Sequence, residues 1–197
     1  MANISQKWLN ELAVLKLFTS GYSAKLYASS IAKSMNLPQR TVARKLDNLA
    51  KMNLIKYRRE GKNKLYYFDL DNRASIFILS IVEYNKALEF ITNNPKIAIF
   101  LSEFAEYGDV LLFGSYAKGY ATSESDIDIL FIGRKSKNIT NLIKKYPFKV
   151  SIQYSSYQKF KDLLEKENAL AKEIAVSHII FSNSEAYVKL FAEHYNG

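Results

Sequence analysis

Apolar positions recur at helical spacing through the first fifty residues. Residues 5–18 place Trp8, Leu12 and Leu15 on one line, and Thr19-Ser20-Gly21 ends the pattern. Residues 24–35, with Leu26, Ile31 and Met35, predict a second helix. Asn36-Leu37-Pro38 then forms a short turn, with proline near the first helical position, where its missing N–H does little harm. A third helix is expected over 39–52. Val42, Leu46 and Leu49 (i, i+4, i+7) form its buried stripe, and Arg40, Thr41, Arg44 and Asn48 fall on the opposite side. The period then changes. Residues 54–57 and 65–69 are short strand-like runs, with Arg58-Arg59-Glu60-Gly61-Lys62-Asn63-Lys64 as a glycine-containing basic hairpin tip between them.

Residues 73–92 return to a helical pattern but are apolar around much of the circumference, through Phe77, Leu79, Ile81, Val82, Leu88 and Phe90. A surface helix shows a cleaner polar face, so this one is expected to be buried between domains or between the subunits of a homodimer. Asn93-Asn94-Pro95 breaks the chain. An amphipathic helix is expected over 95–107, followed by strands over 110–113, from Asp126 to Ile132, and over 148–154. A helix, a His178-Ile179-Ile180-Phe181 strand and a closing helix follow over 169–191. The fold class expected is α+β. Residues 1–72 form three helices and a β-wing, 73–93 a connector helix, and 94–197 a mixed sheet with flanking helices.

Composition narrows the chemistry. A chain of 197 residues suits two small domains. It has no cysteine, which removes disulfides, thiolate zinc sites and cysteine nucleophiles. The two histidines, His178 and His194, lie in unrelated contexts and do not suggest a metal cluster. The first nine residues are polar, unlike a signal peptide, and the longest mostly apolar run, 76–82, is too short to cross a bilayer. A soluble cytoplasmic protein with no membrane partner is expected. Charge is divided unevenly. Residues 1–72 hold 13 Lys+Arg against 5 Asp+Glu, and 73–197 hold 15 against 14, so nearly all of the net +9 sits in the first third. Such a segment suits a polyanion.

Helix, short turn and a helix with an Arg- and Asn-bearing outer face make a helix-turn-helix arrangement, with donors for base edges and phosphates. With the basic hairpin, residues 5–72 resemble the winged-helix transcription regulators of bacteria and archaea. The resemblance implies double-stranded DNA as partner, contacted by Arg40, Thr41, Arg44 and Asn48 of the third helix and by Arg58, Arg59, Lys62 and Lys64 of the wing.

The second half carries a different chemistry. The apolar run 110–113 leads straight into Gly114-Ser115-Tyr116-Ala117-Lys118-Gly119. Gly-Ser at a strand end lets backbone N–H groups and a hydroxyl approach a phosphate, and Lys118 adds a donor. Asp126 and Asp128, two apart on a strand, share a face, while Ile127 and Ile129 point into a core. Two adjacent carboxylates repel each other unless a cation lies between them, and oxygen donors beside phosphates suit Mg²⁺ or Mn²⁺.

This pattern is similar to the signature of the DNA polymerase beta nucleotidyltransferase superfamily, and in particular to the small stand-alone nucleotidyltransferases of archaea and bacteria. The resemblance covers about residues 94–192. It implies a nucleoside triphosphate such as ATP held by Gly114, Ser115, Lys118 and Gly119, with Asp126 and Asp128 as catalytic, metal-binding carboxylates. The superfamily also uses a third carboxylate on a later strand, and here Ser151 takes that place, with Gln153 as the second candidate. Glu124 and Asp162 are the acids considered as replacements. Three functions follow: transfer of a nucleoside monophosphate to a hydroxyl on some acceptor, nucleotide-responsive regulation without chemistry, or the DNA-binding antitoxin of a toxin–antitoxin pair, with a toxin as protein partner.

Overall fold

A computed structural model describes residues 11–196, so Trp8 of the first expected helix lies outside the described residues. The chain divides into two units, Met1–Val82 with Phe191–Gly197, and Glu83–Leu190. The architecture is α+β, with a three-stranded sheet and a four-stranded sheet. No helix among the described residues is long and apolar enough to cross a membrane.

In the first unit, α1 covers residues 11–16 and runs into a 3-10 turn, Leu17–Thr19. Next come β1 (Leu26–Tyr27), α2 (Ala28–Met35), α3 (Gln39–Lys51), β2 (Lys56–Glu60) and β3 (Asn63–Tyr67). The strands are antiparallel in the order β1-β3-β2. Helix α2 stops at Asn36, whose left-handed backbone (φ 51°) lets its N–H close on the carbonyls of Ala32 and Lys33. Helix α3 buries Val42, Leu46 and Leu49 completely, as its spacing predicts.

Two expectations need correction here. The second helix starts at Ala28, because Leu26 and Tyr27 pair with Tyr66 and Leu65 and give their backbone groups to the sheet. The basic hairpin is also tighter than its sequence suggests. Strand pairing continues through Arg58↔Leu65, Arg59↔Lys64 and Glu60↔Asn63, which leaves only Gly61 and Lys62 as the turn. Gly61 takes φ +59° at the first central position, as a type II′ turn requires. Arg58, Arg59 and Lys64 therefore lie on strands.

Helix α4 (Arg73–Asn93) joins the units. Within one chain Leu79, Val82 and Phe90 are buried on one side, whereas Phe77, Ile81, Tyr84, Leu88 and Ile91 are exposed on the other.

The second unit continues with α5 (Pro95–Ala105), β4 (Asp109–Phe113), α6 (Gly114–Lys118), β5 (Ile127–Ile132), α7 (Lys137–Lys144) and β6 (Val150–Ser155). It closes with α8 (Tyr157–Glu165), α9 (Ala169–Val176), β7 (Ile179–Ile180) and α10 (Ser184–Asn196), whose residues from Phe191 on belong to the first unit. The strand order is β6-β5-β4-β7, parallel between β5 and β6 and antiparallel elsewhere. Side-chain N-caps start α7, α8 and α9: Ser136, Ser156 and Asn168 accept the backbone N–H groups of Ile139, Lys159 and Ala171. The core packs Ile127, Ile129 and Phe131 of β5 against Phe100 and Phe104 of α5, with the Phe104 and Phe131 rings edge-on at 5.0 Å. Leu111 and Leu130, on the other face of the sheet, are also buried, so both faces are covered.

One ionic cluster is buried in this unit. Glu83 is fully buried, its Oε2 2.7 Å from Lys86 Nζ and its Oε1 3.3 Å from His178 Nε2. The other ring nitrogen, Nδ1, lies 2.8 Å from the carbonyl of Ile174. Burial pushes the Glu83 carboxyl up, but the neighbouring Lys86 and His178 outweigh it and hold the group well below the usual carboxylate range.

Candidate functional site

The site forms where β4 ends and β5 begins. Phe113 pairs with Asp128 across the antiparallel ladder, so the residue after Phe113 must turn away beside the aspartate. That residue is Gly114, at φ +67°, and a Cβ there would collide with Oδ2 of Asp128. Glycine is needed both for the left-handed backbone and for the space the carboxylate occupies. Ser115 sits in the first turn of α6. Gly119 ends that helix in a left-handed conformation (φ +79°), its N–H closing on the carbonyls of Ser115 and Tyr116. Its direct role is thus to end the helix.

Asp126 lies just before β5, is exposed, and follows a turn in which Thr122 N–H donates to Ser125 Oγ at 2.9 Å. Asp128 is inside the strand and half-buried. On its other side the parallel register sets Asp128 opposite Ser151, whose hydroxyl hydrogen-bonds the carboxylate. Burial raises the Asp128 carboxyl above its ordinary value, and the carboxylates of Asp126 and Glu173 raise it further, against the Ser151 hydroxyl and Lys118.

Glu173, on α9, was not among the candidates from sequence. It accepts a hydrogen bond from Lys118 at 2.7 Å, and this pair raises the lysine's affinity for its proton. Lys118 is therefore near the aspartates but engaged with a carboxylate. The acids considered as replacements lie elsewhere. Glu124 is exposed beside a cavity of about 670 Å³ lined also by Ile97, Tyr116, Ser125 and Phe148, and Asp162 accepts from Gln158 on its own helix at 2.8 Å. The exposed Gln153 pairs with Leu130 and not with an aspartate.

Among the described residues, no group of three His, Cys, Asp or Glu side chains is arranged to hold a metal ion. Two carboxylates still fit a divalent cation that draws its other oxygens from a triphosphate and water. Burial chiefly raises the Asp128 carboxyl, and the neighbouring carboxylates of Asp126 and Glu173 add to it.

The family pattern described as "nucleotidyltransferase domain" matches residues 95–193. The chain belongs to the nucleotidyltransferase domain family. No curated protein and no solved structure gave a match. Membership gives this chain a general role in nucleotidyl transfer, with a nucleoside triphosphate as substrate and a divalent metal as the usual cofactor. The matched stretch contains the whole constellation: Gly114, Ser115, Lys118, Asp126, Asp128, Ser151 and Glu173.

The basic residues of the first unit form a separate set. Arg40 and Arg44 are exposed on α3, with Thr41 and Asn48 half-buried. Arg59 and Lys62 are exposed on the hairpin. Arg58 is paired with Glu60 at 2.6 Å, and Lys64 with Asp47 at 2.6 Å, with Lys64 also 4.4 Å from the Tyr57 ring centroid.

Proposed function

We propose that this protein binds double-stranded DNA through an N-terminal winged helix and uses its nucleotidyltransferase domain to move a nucleoside monophosphate from a Mg²⁺- or Mn²⁺-bound triphosphate to a hydroxyl acceptor. The observation that carries the transfer reading is the packing of Asp128 over Gly114, at the start of the Gly-Ser turn. It supports reading the Asp126 and Asp128 pair and the Gly-Ser turn as one site.

In this reading Asp126 and Asp128 hold the cation, and Ser115 with the adjoining backbone N–H groups binds the phosphates. The cation offsets phosphate charge during transfer. Lys118 leaves Glu173 when a phosphate arrives. The acceptor oxygen bonds to the α-phosphorus, the bond between that phosphorus and the bridging oxygen to the β-phosphate breaks, and pyrophosphate leaves. Ser151 is no base, so the acceptor proton passes to Glu173, the acid supported by its pairing with Lys118 and its effect on Asp128.

A second reading has a specific support. Ser151 stands opposite Asp128 where the superfamily resemblance implies a third carboxylate. On that reading the domain binds a nucleotide and tunes DNA affinity without chemistry. DNA binding itself is supported by the net +8 of residues 1–72 and by the exposed Arg40, Arg44, Arg59 and Lys62. Both readings require metal-dependent triphosphate binding. Calorimetry with Mg²⁺ and a nucleoside triphosphate is expected to show binding by the wild type and none by Asp126→Asn combined with Asp128→Asn. Equal affinity in the two proteins overturns the site assignment.

A further inference from the structure

Helix α4 has two apolar faces. Leu79, Val82 and Phe90 are buried, whereas Phe77, Ile81, Tyr84, Leu88 and Ile91 are 48%, 48%, 53%, 60% and 39% exposed. The exposed set advances by four, three, four and three residues. That is the 3.5-residue repeat of a helix that meets another helix along its length, and it spans two full heptads. Because all five residues belong to one continuous helix, its geometry alone puts them in line.

We propose that this face of α4 packs against the same face of a second copy of the chain, making a homodimer held by paired α4 helices. Three observations favour a second copy. A helix with this repeat is matched by an identical helix, which supplies knobs and holes at the same spacing. The flanking positions Ile78, Asn85 and Thr92 carry no charge, and the nearby Glu89 is hydrogen-bonded by Asn85 at 2.9 Å. Arg73, whose guanidinium lies 5.8 Å from the Phe77 ring centroid, puts one charge at the N-terminal end of the stripe. Along residues 81–92 two copies meet without like-charge repulsion, although each chain carries net +9. Beyond Arg73, a partner of strong charge finds little that is complementary on this stripe. The extent also fits: five large apolar side chains exposed on one line exceed the scattered hydrophobics of an ordinary monomer surface.

The test is the mass of the full chain in solution, by sedimentation equilibrium at micromolar concentration. The wild type is expected at twice the mass of one chain and Leu88→Glu at the mass of one chain. Ile99→Glu, equally exposed but on α5, serves as the control and is expected to remain a dimer. Because Leu88 is mostly exposed, its substitution leaves the folded unit intact, which an unchanged far-ultraviolet spectrum checks. If Leu88→Glu unfolds, Tyr84→Lys replaces it, with the same halving of mass expected. A wild type with the mass of one chain, a dimer that survives the stripe substitution, or dissociation by Ile99→Glu as well each overturns the proposal, the first pointing to a different protein on this face.

Discussion

The carboxylate of Asp128 lies against the Cα of Gly114, in space that any other residue at position 114 would fill with a Cβ. The Gly114-Ser115 turn and the strand that presents Asp128 are thus fitted to each other. Gly114→Ala forces a left-handed backbone on alanine, at a cost of about 1–2 kcal/mol, and adds a clash with Asp128. A lower melting temperature is expected, together with a loss of Mg²⁺-triphosphate affinity of roughly tenfold or more. Unchanged affinity in calorimetry would separate the turn from the site.

Ser151→Asp places a further carboxylate beside Asp128, across the β5–β6 register. Without metal, the added repulsion lowers the melting temperature, and Mg²⁺ is expected to restore it. If Mg²⁺ leaves the melting temperature of this variant where it was, the two register partners do not share a cation.

The buried Glu83 gives the second unit a pH-dependent stability. Its carboxyl falls from the ordinary 4.5 to about 2 on folding, so its contribution is complete above about 4.5 and is lost as the pH falls toward about 2. Glu83→Gln leaves Lys86 and His178 without their carboxylate and is expected to cost about 3 kcal/mol at neutral pH. Thermal melts across this range check the sign. The gap between wild type and variant narrows as acid is added, and a gap that widens contradicts the assignment.

Arg44→Ala tests the DNA reading. Binding to duplex DNA is expected to weaken, with the slope of log affinity against log salt falling by about 1. Identical isotherms at every salt concentration would remove α3 from the interface.

What the sequence made legible was local. Gly114-Ser115 at a strand end and Asp128 on a strand were readable from strand patterning, whereas Asp126 lies just before β5, which begins one residue later than the sequence predicts. Ser151 was readable for the same reason, since its strand alternates cleanly. Glu173 was not, because α9 reaches Asp128 only through tertiary packing, and nothing in residues 169–176 marks that contact. The two-residue strand Leu26–Tyr27 was hidden by its helix-like spacing, and its partners lie some forty positions later. The hairpin was drawn too long because basic residues suit a loop and an edge strand equally well. Helix α4 read as apolar around much of its circumference, and sequence alone does not separate the face packed within the chain from the face left exposed.

The most direct test of the account is transfer of label from triphosphates labelled in the α-phosphate, with Mg²⁺ or Mn²⁺, to components of an extract of the source cells. Wild type, Asp128→Ala and Ser151→Asp are run side by side. A labelled acceptor is expected with wild type and none with Asp128→Ala. No label with wild type, but label with Ser151→Asp, contradicts transfer by the native protein and leaves a nucleotide-binding regulator in its place.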